Sequence, residues 1–323
     1  MKEAFKIHKF KAKALEIIVS ANAIIKEYAA AGDDLTLRQL YYKFVSRNLF
    51  PDDRMYLYNK ARRKWEKDDS DKATKNAEPN YKWLGDIVSN ARLAGYTDWQ
   101  YIKDRTRASH TVGHWDSPEE IIEYYSDWFK VDTREDQDYY IEVWVEKEAL
   151  AGVLKKVCDK IDVRWFACKG YCSSSAMYEA SKRFIRQEKA GKETMIIHLG
   201  DHDPSGIDMT RDIRDRLRMM GARMEVNRIA LTIEQIREYD PPSDPARATD
   251  SRYIEYVENT GEDRQWELDA LEPAMLRSLI EETVDGYTDF DLLEDKQAIQ
   301  DEGERRLVLV HKNWDKIMKY LKA

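Results

Sequence analysis

The feature that most constrains this chain is an alternation of short apolar runs with amphipathic stretches between residues 139 and 235. Tyr140–Val145 (YIEVWV) reads as a strand, with a helix expected from about Lys147. Val163–Ala167 reads as a second strand and Ser173–Gln187 as a second helix. Met195–Leu199 is a third strand, followed by a helix from Pro204 to about Met219 and a fourth strand at Glu225–Ala230. Repeated strand–helix units bury their apolar faces only as a parallel sheet covered by helices. Ligand-handling groups in such sheets gather where the strands end at their carboxyl edge.

Acidic residues stand at those positions. Glu146 follows the first strand, and GDHDPSG, with Asp201 and Asp203 two residues apart, follows the third. An isolated Asp-x-Asp is ordinarily solvated surface. Joined to Glu146 on a neighbouring strand, it places three carboxylates around one point, and a hard divalent cation such as Mg²⁺ (or Mn²⁺) relieves their repulsion. No rival cofactor signature is present. There is no GxGxxG after the first strand, AGKET lacks the leading glycine of a phosphate loop, and the six histidines form no HExxH. Cys168, Cys172 and His198 are an incomplete zinc set.

The chain's 323 residues are expected to form about two domains. Residues 1–107 carry 22 Lys+Arg against 15 Asp+Glu, a net of +7 within a chain whose total is −8. A basic front and an acidic back suggest a nucleic-acid-binding module joined to something else. Ala14, Ile17, Ile18, Ala21, Ile25 and Tyr28 mark a first helix, stopped at Gly32. Thr36 and Gln39 have capping-box spacing, so a second helix begins at Leu37. Leu84, Ile87, Val88 and Ala91 mark a third, ending at Gly95. Three short helices with a basic excess suit a helix-turn-helix or winged-helix DNA-binding unit. The charged stretch 52–80 reads as an exposed insertion. Ser117-Pro118-Glu119-Glu120 starts a helix running to about Phe129, and 132–138 (DTREDQD) reads as a linker. The expected division is 1–110, 111–138, 139–235 and a mostly helical 236–323. No apolar run approaches a membrane span, no secretory signal is seen at the N-terminus, and three cysteines without a CxxC pair suggest a reducing, cytoplasmic compartment.

On the second helix, Leu37, Leu40, Tyr41 and Phe44 share the apolar face. Tyr42 lies about 100° round, on the side of Arg38 four residues earlier. A guanidinium there favours phenolate and holds a phosphate, which makes Tyr42 a candidate nucleophile; the alternative is a half-buried structural aromatic.

Together these segments resemble a known family. LTLRQLYYKFV is similar to the catalytic-tyrosine motif of the type IIB topoisomerase (topoisomerase VI) A subunit and the related meiotic double-strand-break transesterase. VEKEAL, CKGY and GDHDPSGID, in that order, resemble the Toprim domain of the same proteins. RIALTIEQIREYDPP and WELDALEP are similar to their C-terminal part. The resemblance spans most of residues 33–275 and is strongest to a bacterial and phage group. It implies a winged-helix domain followed by a Rossmann-like Toprim domain. Tyr42 matches the nucleophile, Arg38 the motif arginine, and Glu146, Asp201 and Asp203 the magnesium ligands. Lys169, followed by Gly170, matches a DNA-contacting lysine. It further implies Mg-dependent cleavage of double-stranded DNA through a 5′-phosphotyrosyl link, in a nucleoid-associated homodimer whose tyrosine and metal site come from different subunits. Cys172 stands where the family usually has proline, and strand passage requires a separate ATPase subunit. A hydrolytic Toprim nuclease with a structural tyrosine, and a non-catalytic DNA-binding protein, are the alternatives. Glu267 and Glu272 are expected at the surface or in interdomain pairs.

Overall fold

The computed structural model describes residues 2–102, 114–126 and 128–321. Helix α1 (Ala12–Ala30) buries Ile17, Ile18, Ala21, Ile24, Ile25 and Tyr28, and Gly32 ends it with φ +71°. Helix α2 (Leu37–Ser46) starts at the expected capping box: the Gln39 amide donates to Thr36 Oγ1 (3.2 Å), and the Thr36 amide donates to Gln39 Oε1 (2.8 Å). The stretch 52–80, expected to be an exposed insertion, is largely exposed and contains a hairpin. Strands β1 (Tyr56–Asn59) and β2 (Lys64–Lys67) pair antiparallel, with the rings of Tyr58 and Trp65 5.4 Å apart. Strands of only four residues, YLYN and KWEK, are too short to show an alternation, so the hairpin is invisible in the sequence. Arg54 anchors its base, with its guanidinium 4.0 Å from the Trp83 ring and Nε donating to Asn80 Oδ1 at 2.7 Å. Helix α3 (Glu78–Leu93) adds Leu84, Ile87, Val88 and Ala91 to the core of α1 and α2.

Helix α4 (Pro118–Ser126) begins where expected, the Glu120 amide donating to Ser117 Oγ at 3.2 Å. The Glu120 carboxylate reaches back to the amide of Asp116, one residue before the usual box position (2.9 Å). The expected end near Phe129 lies beyond residue 127, which is outside the described residues. Residues 132–138, expected to be a linker, are tied down. Thr133 donates through its amide and hydroxyl to Asp162 (2.9 and 2.7 Å), and Arg134 Nε donates to the Ile161 carbonyl (2.7 Å).

The strand–helix alternation holds along its whole length. It runs β3 (Tyr139–Val145), a 3₁₀ turn at Glu148–Leu150, α5 (Ala151–Lys160), β4 (Arg164–Ala167), α6 (Ser174–Lys189), β5 (Glu193–Leu199), α7 (Pro204–Met219) and β6 (Glu225–Ala230). All four strands are parallel, in the order β4-β3-β5-β6. After β6 come α8 (Ile233–Tyr239), a small antiparallel pair β7 (Ser243–Pro245) and β8 (Arg264–Trp266) flanking α9 (Tyr253–Thr260), then α10 (Pro273–Asp285), α11 (Phe290–Lys312) and α12 (Trp314–Leu321). Side chains alternate across the sheet. Ile141, Val143, Val145, Ile197 and Leu199 pack under α5 and under Leu276, Ile280 and Val284 of α10. Trp144 and Ile196 point to the other face, against Met177 and Phe184 of α6 and Ile213 and Leu217 of α7. The C-terminal segment thus completes one face of the sheet.

One charge sits inside this second layer. Glu142, on β3, is fully buried. Arg183 of α6 donates to both its oxygens (2.8 and 2.9 Å), Tyr140 Oη donates at 2.6 Å and Trp144 Nε1 at 2.9 Å. The pair is supported because every acceptor direction is filled. Arg183→Ala would leave the buried carboxylate with only the more distant Arg164, at 3.8 Å, as counter-charge and is expected to cost about 3–5 kcal/mol in denaturant unfolding. A loss below about 1 kcal/mol would show that Arg164, Tyr140 and Trp144 suffice.

Candidate functional site

Strands β3 and β5 are neighbours in a register that opposes Val145 to Leu199, so the residues following them leave the sheet side by side. The Glu146 amide donates to the Leu199 carbonyl (2.9 Å), and the Asp201 amide donates to Glu146 Oε2 (2.9 Å). Gly206 permits this approach. A Cβ there would lie 2.2 Å from the Asp201 carbonyl oxygen and 3.0 Å from Glu146 Oε2. Asp203 caps α7, accepting from the Gly206 amide (2.6 Å) and from Ser205 Oγ (3.0 Å), with Pro204 opening the helix.

Asp201 points the other way, and Lys147 holds it. Asp201 Oδ1 accepts from the Leu268 amide (2.8 Å), and Oδ2 lies 2.9 Å from Lys147 Nζ. The same ammonium pairs with Glu267 and, at 3.2 Å, with Asp269 Oδ1. Glu267 also faces Arg38 Nη2 at 3.7 Å. Behind the acids, Arg228 donates to the carbonyls of Gly200, Asp201 and Gly206 (2.9, 2.6 and 2.9 Å). Five carboxylates (Glu146, Asp201, Asp203, Glu267, Asp269) therefore share one neighbourhood with three cationic side chains (Arg38, Lys147, Arg228).

The crowding is visible in proton affinities. Burial, with the fields of Asp201 and Asp203, pushes Glu146 up to about 8. Burial raises Asp201 to about 6, against the pull of Lys147. Burial alone would lower Lys147, but Asp269, Asp201 and Glu267 outweigh it and hold the ammonium well above its usual value.

Tyr42 and Arg38 are brought to this same neighbourhood within one chain. Tyr42 is only 4% exposed. Burial first, then Glu267 and Asp269, raise its phenol above the usual range, while Arg38 and Lys147 pull it down without prevailing. The expected phenolate-favouring effect of Arg38 is real in sign and too small in this environment. Both tyrosines of the pair are buried, Tyr41 donating to Asn76 Oδ1 (2.8 Å).

A cleft of about 670 Å³ opens between α2 and the strand ends, and Arg38, Glu146, Lys147, Lys169 and Asp269 line it. Lys169 has φ +58°, an uncommon conformation for a side-chain-bearing residue, and its ammonium meets Glu148 Oε1 at 2.8 Å on the solvent side. Tyr42, Asp201 and Asp203 are not among the cleft's lining residues. Among the described residues, no three His, Cys, Asp or Glu side chains are gathered as a metal ion would need. Glu146 is turned to the Asp201 amide, Asp203 to its helix and Asp201 to Lys147. Cys168 and Cys172 pack together in the core, and His198 Nδ1 meets Thr210 Oγ1 at 2.8 Å.

Further ion pairs bind α2 and its neighbours to the sheet unit. Glu272 accepts from Tyr28 Oη (2.9 Å) and pairs with Lys43, while Asp33 takes Arg277 (3.0 and 2.8 Å) and Lys156 (2.7 Å). Glu267 and Glu272 thus pair with residues of α1 and α2. Lys147, Arg228 and Asp269 escaped the sequence reading. The available signals were an arginine within the expected strand Glu225–Ala230 and a second acid-x-acid spacing at Glu267 and Asp269.

No family model matches the chain, and no curated protein matches it either. No helix among the described residues is long and apolar enough to cross a membrane.

The Glu146 shift carries a pH signature. Its folded value of about 8 exceeds the ordinary 4.5, so its contribution to stability is complete below 4.5 and disappears as pH rises through 8. Asp201 completes its change near 6, and the buried His198 and His202 act only below 6.5. In chelator, stability is expected to fall by about 1–2 kcal/mol between roughly pH 6.5 and 8. Chemical denaturation of Glu146→Gln should show that slope removed; an unchanged slope would locate the titration elsewhere.

Proposed function

We propose that this chain cleaves double-stranded DNA by transesterification, as a homodimeric relative of the Toprim-containing type IIB topoisomerase A subunits. The observation that supports this most directly is that Arg38, on α2, lines one cleft with Glu146 and Lys147 at the end of β3, while Tyr42 on the same helix faces Glu267 and Asp269. The basic excess of residues 1–107 supplies attraction for phosphate, and α1–α3 with the β1–β2 hairpin serve as a winged-helix-like DNA-binding unit.

In this reading the scissile phosphate enters the cleft beside Arg38 and Lys169. Arg38 offers a planar pair of donors to its oxygens, and Lys169 a mobile charge at the rim. Tyr42 attacks phosphorus as its phenol proton passes to Asp269, whose Oδ2 is buried without a partner. The Tyr42 O–P bond forms, the bond to the 3′ oxygen breaks, and that oxygen takes a proton from solvent to leave as a hydroxyl while Asp269 gives its proton up to solvent. The link conserves the phosphodiester's energy, so resealing is the reverse step. The carboxylates as arranged do not fit a magnesium ion: Glu146 holds the Asp201 amide, Asp203 the Gly206 amide and Asp201 the Lys147 ammonium. Tyr42 is likewise enclosed, so α2 must part from the Glu267–Asp269 turn before attack. A separate ATPase subunit is the partner that would turn cleavage into strand passage.

Hydrolysis with water as nucleophile is the second reading, and the burial and raised proton affinity of Tyr42 favour it. Denaturing quench of reactions with labelled DNA and Mg²⁺ or Mn²⁺ separates the two. Label migrating with the wild type and absent in Tyr42→Phe is the expected result. Cut DNA without attached protein, undiminished in Tyr42→Phe, would establish hydrolysis instead. No cleavage under any metal or topology would remove both readings.

A further inference from the structure

The opposite edge of the sheet, where β3, β5 and β6 begin, holds a second cleft of about 690 Å³. It is cationic on one side. Arg214 and Arg218 project from α7 four residues apart, and Lys192 and Arg223 stand near them. The other arginines of α7 are neutralised within the helix or nearby. Arg211 meets Asp208 and Asp215, both at 2.8 Å, and Arg216 meets Asp212 at 3.3 Å and the Cys172 carbonyl at 2.6 Å. Among the described residues Arg214 and Arg218 have no carboxylate partner, although like charges at that spacing repel.

A second, independent feature lies in the same cleft. Thr194, near the start of β5, lines it and is only 6% exposed, and its Oγ1 has no hydrogen-bond partner. A buried hydroxyl normally finds one. The remaining wall on that face of the sheet is apolar, from Met224 and Val226.

We propose that this cleft binds the phosphate group of a small ligand. Arg214 and Arg218 hold its oxygens, the Thr194 hydroxyl donates to it, and the apolar wall accommodates a nucleoside where one is attached. Guanidinium pairs suit phosphate oxygens because their donors are planar and fixed. The volume falls in the range of small-molecule sites. Three carboxylates, Glu188, Glu193 and Glu225, border the cleft and would repel a continuous polyanion, which favours a compact phosphate ligand over a nucleic-acid backbone. Two of them already have partners, Glu188 in the Arg223 amide (2.6 Å) and Glu193 in the Tyr139 phenol. This site lies at the other end of the strands from Glu146 and Asp201, and it does not depend on the DNA-cleaving reading.

Calorimetric titration of the full chain with pyrophosphate and with ADP as probes tests it. Both are expected to bind, and the double variant Arg214→Gln/Arg218→Gln to weaken both by about 10-fold or more. Arg214 and Arg218 lie outside the core, so the variant should unfold at the wild-type temperature. Thr194→Val, which keeps the side chain's shape, should also weaken both. Tighter binding of ADP than of pyrophosphate identifies a nucleotide as the source of the phosphate, and equal binding identifies a free phosphate compound. Absence of binding by either probe at about millimolar concentration, or binding undiminished in the double variant, would overturn the proposal. Duplex-DNA affinity falling in the double variant while probe binding does not would reassign the arginines to a backbone contact.

Discussion

The arrangement at the strand ends depends on one buried ammonium. Lys147 follows Glu146 directly, so the turn that sends the glutamate toward Gly200 and Gly206 sends the lysine into the gap between Asp201, Glu267 and Asp269. Those acids come from two separate stretches of chain, the β5–α7 turn and the turn after β8. Without a cation between them they would repel across a poorly solvated gap, where Coulomb interactions are several-fold stronger than in water. Lys147 therefore does more than balance charge. It holds the segment leading into α10 against the sheet, and α10 closes one face of the core.

Through Glu267 the same network reaches Arg38 on α2, and through α2 it encloses Tyr42. Glu272 and Asp33 extend the contact with ion pairs to Lys43, Arg277 and Lys156. Ion pairs of this partly buried kind are weak as net stabilisers but demanding in geometry, since removing one partner strands the other. They suit a contact that is specified by geometry more than by net stability. Acids gathered beneath a tyrosine and a guanidinium at its edge have opposite effects on the phenol, and in the closed arrangement the acids and burial prevail.

The two ends of the parallel strands are chemically distinct. At the carboxyl ends, carboxylates outnumber cations, and internal lysine and arginine groups hold them together. At the amino ends, Arg214 and Arg218 of α7 have no carboxylate partner among the described residues and stand near the unpaired Thr194 hydroxyl. The polarity of the sheet makes this separation possible, because parallel strands place all their following turns at one edge and all their preceding turns at the other.

Much of the scaffold was legible in the linear sequence because its signals are local. The Thr36 and Gln39 box, Pro204 at the head of α7 and the apolar spacing of Leu84, Ile87, Val88 and Ala91 are satisfied within a few residues of chain. The alternation from Tyr139 to Ala230 required a parallel sheet, and with it a common edge for Glu146 and Asp201. The β1–β2 hairpin was hidden, since strands of four residues are too short to carry a period. What the sequence by itself determined was which elements form and which residues leave the sheet at the acid-rich edge. Only the tertiary structure decided that β3 lies beside β5, that Lys147 rather than Glu146 faces Asp201's carboxylate, and that Tyr42 is buried against acids from residues 267–269. Those outcomes depend on charges far apart in the chain meeting in a medium of low polarity, and nothing in local spacing encodes which of them will meet.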